Sequence, residues 1–183
     1  MDNYLNITVL PDEEMNENEL LNKAYSKLHK ALFDLQANDI GVSFPEFKCK
    51  PGRVLRIHSN ATRLLQLQQL NWLGGLLGYC KVSEIQTTPS KVEYRVISRK
   101  QPTMTMAKLN RLLKRGTLTQ DKVSEYKVKM LSKRLENPYI ELVSNSGGQL
   151  YSRYIEMGEL QLEPIAGEFD QFGLSKQATI PWF

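Results

Sequence analysis

The sequence predicts an α+β fold in two parts: an antiparallel sheet crossed by two helices, then a β-rich remainder that carries a basic helix. Three observations predict it. Through Ser98, stretches of two-residue apolar alternation trade places with stretches of three- and four-residue recurrence, in the order strand–helix–strand–strand–helix–strand. After Ser98 the pattern changes to two charge-dense helical segments followed by several short strands. Between Lys91 and Arg134, thirteen cations face three anions, a net +10 inside a chain of net +4.

The elements follow in order. Tyr4–Val9 alternates, with Leu5, Ile7 and Val9 on one face, and Pro11 closes it. Acidic residues from Glu13 to Glu19 lead into a helix over Glu17–Gln36, where negative charge suits the positive end of the helix dipole. Leu20, Leu21, Ala24, Leu28, Ala31, Leu32 and Leu35 form its apolar stripe. Ile40–Phe44 is a short strand stopped by Pro45, and Arg53–His58 the next. Ser59 or Asn60 caps a second helix holding Leu64, Leu65, Leu67 and Leu70, which Gly74–Gly75 ends. Tyr79–Gln86 and Val92–Ser98 are two further strands around Pro89, one of them an extra strand or extension near residue 80. This order is the split βαβ, ferredoxin-like pattern, with both helices on one face of the sheet.

Beyond Pro102, Met104–Arg115 reads as a helix begun by Thr103 or Thr105 and ended at Gly116. Thr119 opens a second helix, Gln120–Leu135, with Val123, Tyr126, Met130, Leu131 and Leu135 as its apolar positions. Strands are expected at Tyr139–Val143, Leu150–Met157, Leu160–Glu163 and near Phe169–Leu174. The division is residues 1–98 as a ferredoxin-like domain and residues 99–183 as a β-rich domain with the basic helix.

Composition narrows the function. Hydrophobic content of 41% and charged content of 24% are those of a globular protein, and no apolar run approaches the ~20 residues of a membrane span. The N-terminal residues lack the basic start and apolar core of a secretion signal. Cys49 and Cys80 form no disulfide framework and match no zinc spacing. A cytoplasmic protein is expected, without membrane contact, monomeric when free. The basic block points to a polyanion, most simply nucleic acid. On a helix, Lys108, Arg111 and Arg115 share one face with Lys114 beside it, a spacing that can follow a phosphate backbone. Arg99 and Gln101 stand just upstream, and both side chains can pair with base edges.

No metal motif, P-loop or nucleophile elbow occurs, so no metal and no cofactor are expected. Of the two histidines, His58 ends a strand and reads as structural. His29 sits one position off the apolar stripe of the first helix, at the boundary of core and solvent. That position suits an ordinary boundary residue or a general base. RNA carries its own nucleophile, the 2′-hydroxyl, so cutting it requires a base near neutral pKa, alignment and positive charge rather than a metal.

Several short matches, in order along the whole chain, resemble the subtype I-F CRISPR repeat-RNA endoribonucleases. They are Met1-Asp2-x-Tyr4-Leu5, Lys27-Leu28-His29-x-Ala31-Leu32, Ile40-Gly41-Val42-Ser43-Phe44-Pro45 and Leu55-Arg56-Ile57-His58. Ser98-Arg99-x-Gln101, Ser144-x-Ser146-x-Gly148-Gln149, Gly173-Leu174-Ser175-Lys176 and Pro181-Trp182-Phe183 complete the set.

The resemblance implies a groove-binding basic helix and a CRISPR repeat hairpin RNA as partner, with cleavage of precursor RNA at the hairpin's base. It also implies retention of the product as a subunit of the type I-F surveillance complex. His29 matches the family's general base. Ser144 matches the serine that fixes the 2′-hydroxyl, and Ser146 a second polar position near the scissile phosphate. Arg99 and Gln101 match base readers, and Tyr151 an aromatic that stacks on the lowest base pair. Two departures stand out. Phe172 keeps the ring of a family tyrosine and loses its hydroxyl, which implies slower or rearranged chemistry. Leu109, Asn110 and Leu112 thin the arginines of the helix, which implies fewer phosphate contacts and a shallower salt dependence. Two rival functions follow. A hairpin-binding subunit with little turnover would fit Phe172. A DNA-binding regulator would explain the charge but not His29 with Ser144.

Overall fold

The computed structural model describes residues 1–133, 135–143 and 147–183. Strand β1 (Asn3–Val9) buries Leu5, Ile7 and Val9, as its alternation requires. Helix α1 (Glu17–Asp34) starts where the Asn16 side chain accepts the Glu19 N–H at 3.0 Å. It ends two residues short of Gln36, which adopts a positive φ of 50° and turns the chain out of the helix. Strands β2 (Gly41–Ser43) and β3 (Val54–Ser59), helix α2 (Ala61–Gln69) and strand β4 (Cys80–Val82) complete the crossed unit. Asn60, rather than Ser59, caps α2, accepting the Arg63 N–H at 2.8 Å. The sheet order β2-β3-β1-β4 is antiparallel throughout, the ferredoxin-like arrangement.

Pairing within the sheets departs from expectation in one instructive place. The short strand near residue 80 closes the first sheet: β4 pairs Val82 with Ile7, and β5 (Gln86–Thr87) extends it by pairing Thr87 with Asn3. The stretch expected as Val92–Ser98 is strand β6 (Glu93–Lys100), and it lies in a second antiparallel sheet. That sheet is ordered β7-β8-β6-β9, with β7 (Tyr139–Val143), β8 (Leu150–Met157) and β9 (Thr179–Trp182). Periodicity reveals a strand but not its partner, which is set by distant residues. Strand β9 escapes sequence reading because Pro181 interrupts its run; on the sheet edge the missing N–H costs no ladder bond. Residues 160–163 contribute only the Tyr94–Gln161 bridge, and residues 169–174 form a tight turn instead of a strand.

The two sheets share one core, in which Ile97, Ile140, Ile155 and Ile180 join Val42, Phe44 and the buried leucines of α1. Gly41 sits at the seam, where an added Cβ would lie 2.6 Å from the Ile180 side chain. Helices α3 (Met106–Lys114) and α4 (Val123–Ser132) stand apart from that core. Thr105 caps α3 by accepting the Lys108 N–H at 3.1 Å, and Gly116 leaves it at φ +68°. Thr119 makes no side-chain cap; a 3₁₀ turn, Gln120–Lys122, precedes α4. Only Leu109 of α3 and Tyr126 of α4 are buried, and Leu131, expected in an apolar stripe, is 69% exposed. Tyr126 ties α4 to the start of α3, its hydroxyl donating to the Thr105 carbonyl at 3.4 Å. Among the described residues, no helix is long and apolar enough to cross a membrane.

His58 is structural, as its strand position predicts. It is fully buried, with Nε2 2.8 Å from Ser43 Oγ and Nδ1 without a partner among the described residues. Burial first, then the positive charges of Arg56 and the N-terminus, push its pKa down to about 3. Folded protein therefore excludes a proton that the unfolded chain takes up below its ordinary value of 6.5. The contribution is whole above pH 6.5 and declines as pH falls toward 3, by about 1.4 kcal/mol per pH unit. Denaturant titrations at stepped pH are expected to show this slope, and His58→Gln to remove one proton's worth of it.

Candidate active site

Helix α1 directs His29 outward one step past the buried Leu28, so its ring is half-buried between core and solvent. His29 Nδ1 lies 2.8 Å from the backbone oxygen of Gln171. A carbonyl only accepts, so Nδ1 carries the hydrogen, and the neutral ring keeps its lone pair on Nε2. The imidazole stacks on Phe172 with ring centroids 3.6 Å apart and planes within 12°. One turn earlier on α1, Tyr25 donates its hydroxyl to the Phe172 carbonyl at 2.8 Å. Burial raises the Tyr25 phenol well above its usual range and keeps it a donor.

The loop that α1 grips is itself braced. Asp170 Oδ1 accepts the N–H groups of Phe172 at 2.8 Å and Leu174 at 3.0 Å. Gly173 turns the chain at φ +70°, and its carbonyl accepts the Val42 N–H at 2.9 Å. A Cβ there would fall 2.7 Å from Val42 Cγ1, so strain and clash together reserve the position for glycine.

His29 opens on a cleft of about 560 Å³ whose walls include Lys30, Arg99, Val143, Tyr151 and Gln171. Tyr151 stands opposite Leu142 in the β7–β8 pair. Three residues singled out from the sequence, His29, Arg99 and Tyr151, thus meet at one place. Ser144 and Ser146 lie outside the described residues; Val143, the residue before Ser144, lines the cleft.

Comparison with known proteins decides the family. Residues 4–183 match the family model described as CRISPR-associated protein (Cas_Csy4). The chain belongs to the Cas_Csy4 family. Two curated relatives carry the name CRISPR-associated endonuclease Cas6/Csy4. The one from Escherichia coli (strain UTI89 / UPEC) is 39% identical over 184 residues, covering 100% of both chains. The one from Pseudomonas aeruginosa (strain UCBPP-PA14) is 35% identical over 187 residues, again covering 100% of both. A solved structure titled "An RAMP protein binding different RNA substrates" aligns over 98% of this chain and 99% of its own, at 11% identity. Its TM-score of 0.35 is too low to bear on fold or function.

In this Cas_Csy4 protein a second cleft, of about 940 Å³, adjoins the first through Arg99 and also contains Gln101 and Lys176. Burial first, and then the nearby Arg153 cation, lower the Arg99 pKa. The α3 cations Lys108, Arg111 and Lys114 and the C-cap Arg115 are all exposed, and none lines either cleft. Lys108 Nζ instead donates to the Thr103 carbonyl at 3.0 Å. The His29 neighbourhood also holds residues that sequence reading passed over: Tyr25, Asp170, Gln171 and Arg153. Tyr25 was detectable as the helical i−4 neighbour of His29. Arg153 was detectable as a lone cation two residues from Tyr151 on the same strand face.

Proposed function

We propose that this chain is an endoribonuclease that cleaves CRISPR precursor RNA at the base of the repeat hairpin and keeps hold of the product. The observation that carries the reading is His29: a half-buried imidazole, anchored at Nδ1, with no bond to Nε2 among the described residues, beside a cleft containing Arg99 and Tyr151. Nε2 takes the proton of the 2′-hydroxyl preceding the cut. The 2′-oxygen bonds to the adjacent phosphorus as the P–O5′ bond breaks, and the leaving oxygen takes a proton from solvent. The products are a 2′,3′-cyclic phosphate and a 5′-hydroxyl, and no metal takes part. Cationic groups near the phosphate offset the charge that develops on it.

In this reading, residues 1–98 supply the base and residues 99–183 most of the RNA contacts. Ser144 orients the ribose and Ser146 assists near the phosphate. Arg99 and Gln101 read base edges at the foot of the stem, Tyr151 stacks on its lowest pair, and Lys108, Arg111, Lys114 and Arg115 follow the backbone. The bound hairpin then ties the protein into the type I-F surveillance complex.

Two measurements on one preparation test the proposal. RNA copurifying with the protein is expected to be a uniform 3′ hairpin derived from the repeat. The corresponding synthetic repeat RNA should be cut at the same site in excess chelator. A strict divalent-cation requirement would remove the mechanism, and tight binding without turnover would leave a hairpin-holding subunit in its place.

A further inference from the structure

Arg153 is a cation where its strand calls for an apolar side chain. Tyr151, Arg153 and Ile155 share one face of β8; Ile155 is fully buried, and Arg153 is only 5% exposed. The Asp170 carboxylate approaches Nη1 no closer than 4.0 Å, beyond hydrogen-bond range. Among the described residues, Nε is buried with no hydrogen-bond partner. A buried guanidinium nitrogen without a partner costs a fold stability.

Arg153 lies over Phe172. Its guanidinium carbon lies 3.4 Å from the centre of that ring, a cation–π distance. The His29 imidazole lies 3.6 Å from the same centre. Two groups that close cannot occupy one face of a six-membered ring. Imidazole, benzene ring and guanidinium therefore form a three-layer stack, with Phe172 in the middle.

We propose that Arg153 is a positioning residue for RNA cleavage: its guanidinium holds the Phe172 ring flat against His29 and so fixes the plane in which Nε2 faces the cleft. The inference rests on His29 being the base. The bond from Nδ1 to the Gln171 carbonyl sets one point of the imidazole but leaves rotation about the N–O line. A flat neighbour removes that rotation. The Phe172 backbone is held at its N–H by Asp170 and at its carbonyl by Tyr25, and the Tyr25 ring lies 6.0 Å from the Phe172 ring centre. The Phe172 side-chain torsions are set by what covers its two faces, and one of those faces belongs to Arg153.

The test compares Arg153→Met, Arg153→Lys, Phe172→Ala and the Arg153→Met/Phe172→Ala double variant. The assay is single-turnover cleavage of the synthetic repeat RNA, with hairpin affinity and thermal unfolding measured alongside. Arg153→Met is expected to slow cleavage by about ten- to a hundredfold, the scale of a misplaced reacting group. Hairpin affinity should hold, and the unfolding temperature should stay level or rise. The His29 ring protons, shifted by the Phe172 ring current, should move toward unstacked positions, while the buried His58 signals stay in place. The double variant should be no slower than Phe172→Ala alone.

Full-speed cleavage by Arg153→Met would overturn the proposal. So would losses that multiply in the double variant, which would put Arg153 directly on the RNA. Should Arg153→Met fail to fold, Arg153→Lys, which keeps the charge but not the planar layer, is judged by the same rate and ring-proton criteria. His29→Ala separates the two levels. If it cleaves normally, the base assignment falls; if it is inactive while Arg153→Met is fully active, only the positioning role falls.

Discussion

Changing His29 to alanine is expected to lower the single-turnover cleavage rate by about a hundred- to ten-thousandfold, the usual contribution of a general base. Hairpin binding should remain. The argument is geometric. With Nδ1 committed to the Gln171 carbonyl, Nε2 is the only basic atom the ring offers to the cleft. His58, the other histidine, is fully buried and hydrogen-bonded to Ser43, so it cannot substitute. Arg99, Tyr151 and the cations of α3 are carried by elements other than α1, so removing the imidazole leaves them in place. A gel assay at saturating enzyme, paired with an equilibrium binding curve, separates the two quantities. Unaltered cleavage with unaltered binding would move the chemistry elsewhere in the cleft.

A single 2′-deoxy nucleotide at the cut site should have an effect at least as large, because it removes the nucleophile itself. Cleavage is expected to fall below detection on an RNA that is otherwise unchanged. Binding should weaken by no more than about tenfold, the scale of one lost hydrogen bond. The same substitution one nucleotide away should be cut at close to the normal rate. This pair of substrates distinguishes attack by the RNA's own oxygen from attack by water. It also separates an RNA cleaver from a DNA-binding regulator, for which the missing hydroxyl would be immaterial. Continued cutting of the deoxy substrate would require an external nucleophile and a different role for His29.

The sequence carried much of the fold in its local patterns. Strands β7 and β8 fall on the residues their alternation marks, and α1 follows its leucine stripe, because each of these signals is a property of neighbouring residues. Pairing is not such a property. Nothing local to Glu93–Lys100 distinguishes a fourth strand of the first sheet from the centre of the second, and only the contacts with β8 and β9 decide it. Apolar periodicity also overstated the burial of α4, since Leu131 is exposed and Met130 only half-buried.

The site divides in the same way. His29, Arg99 and Tyr151 were visible as residue types in matching motifs, and the fold brings them to one cleft. Spacing alone could point to Tyr25 and Arg153, but not to what they or Asp170 do, because holding a loop and a ring depends on distances between segments far apart in the chain. In the sequence Phe172 stands out for the hydroxyl it lacks. Its ring is nevertheless the surface on which the histidine lies.

One contact has a consequence in time. The hydrogen bond that orients His29 spans 142 positions of sequence. A chain emerging in order from the ribosome completes α1 long before Gln171 and Phe172 exist, so for most of its synthesis the imidazole is exposed and unaligned. Closing so long a loop is slow to nucleate, and it is rewarded only when the 169–174 turn docks against α1 and Val42. With His29 as the proposed base, a nascent chain would stay inactive through contact order alone until that loop closes.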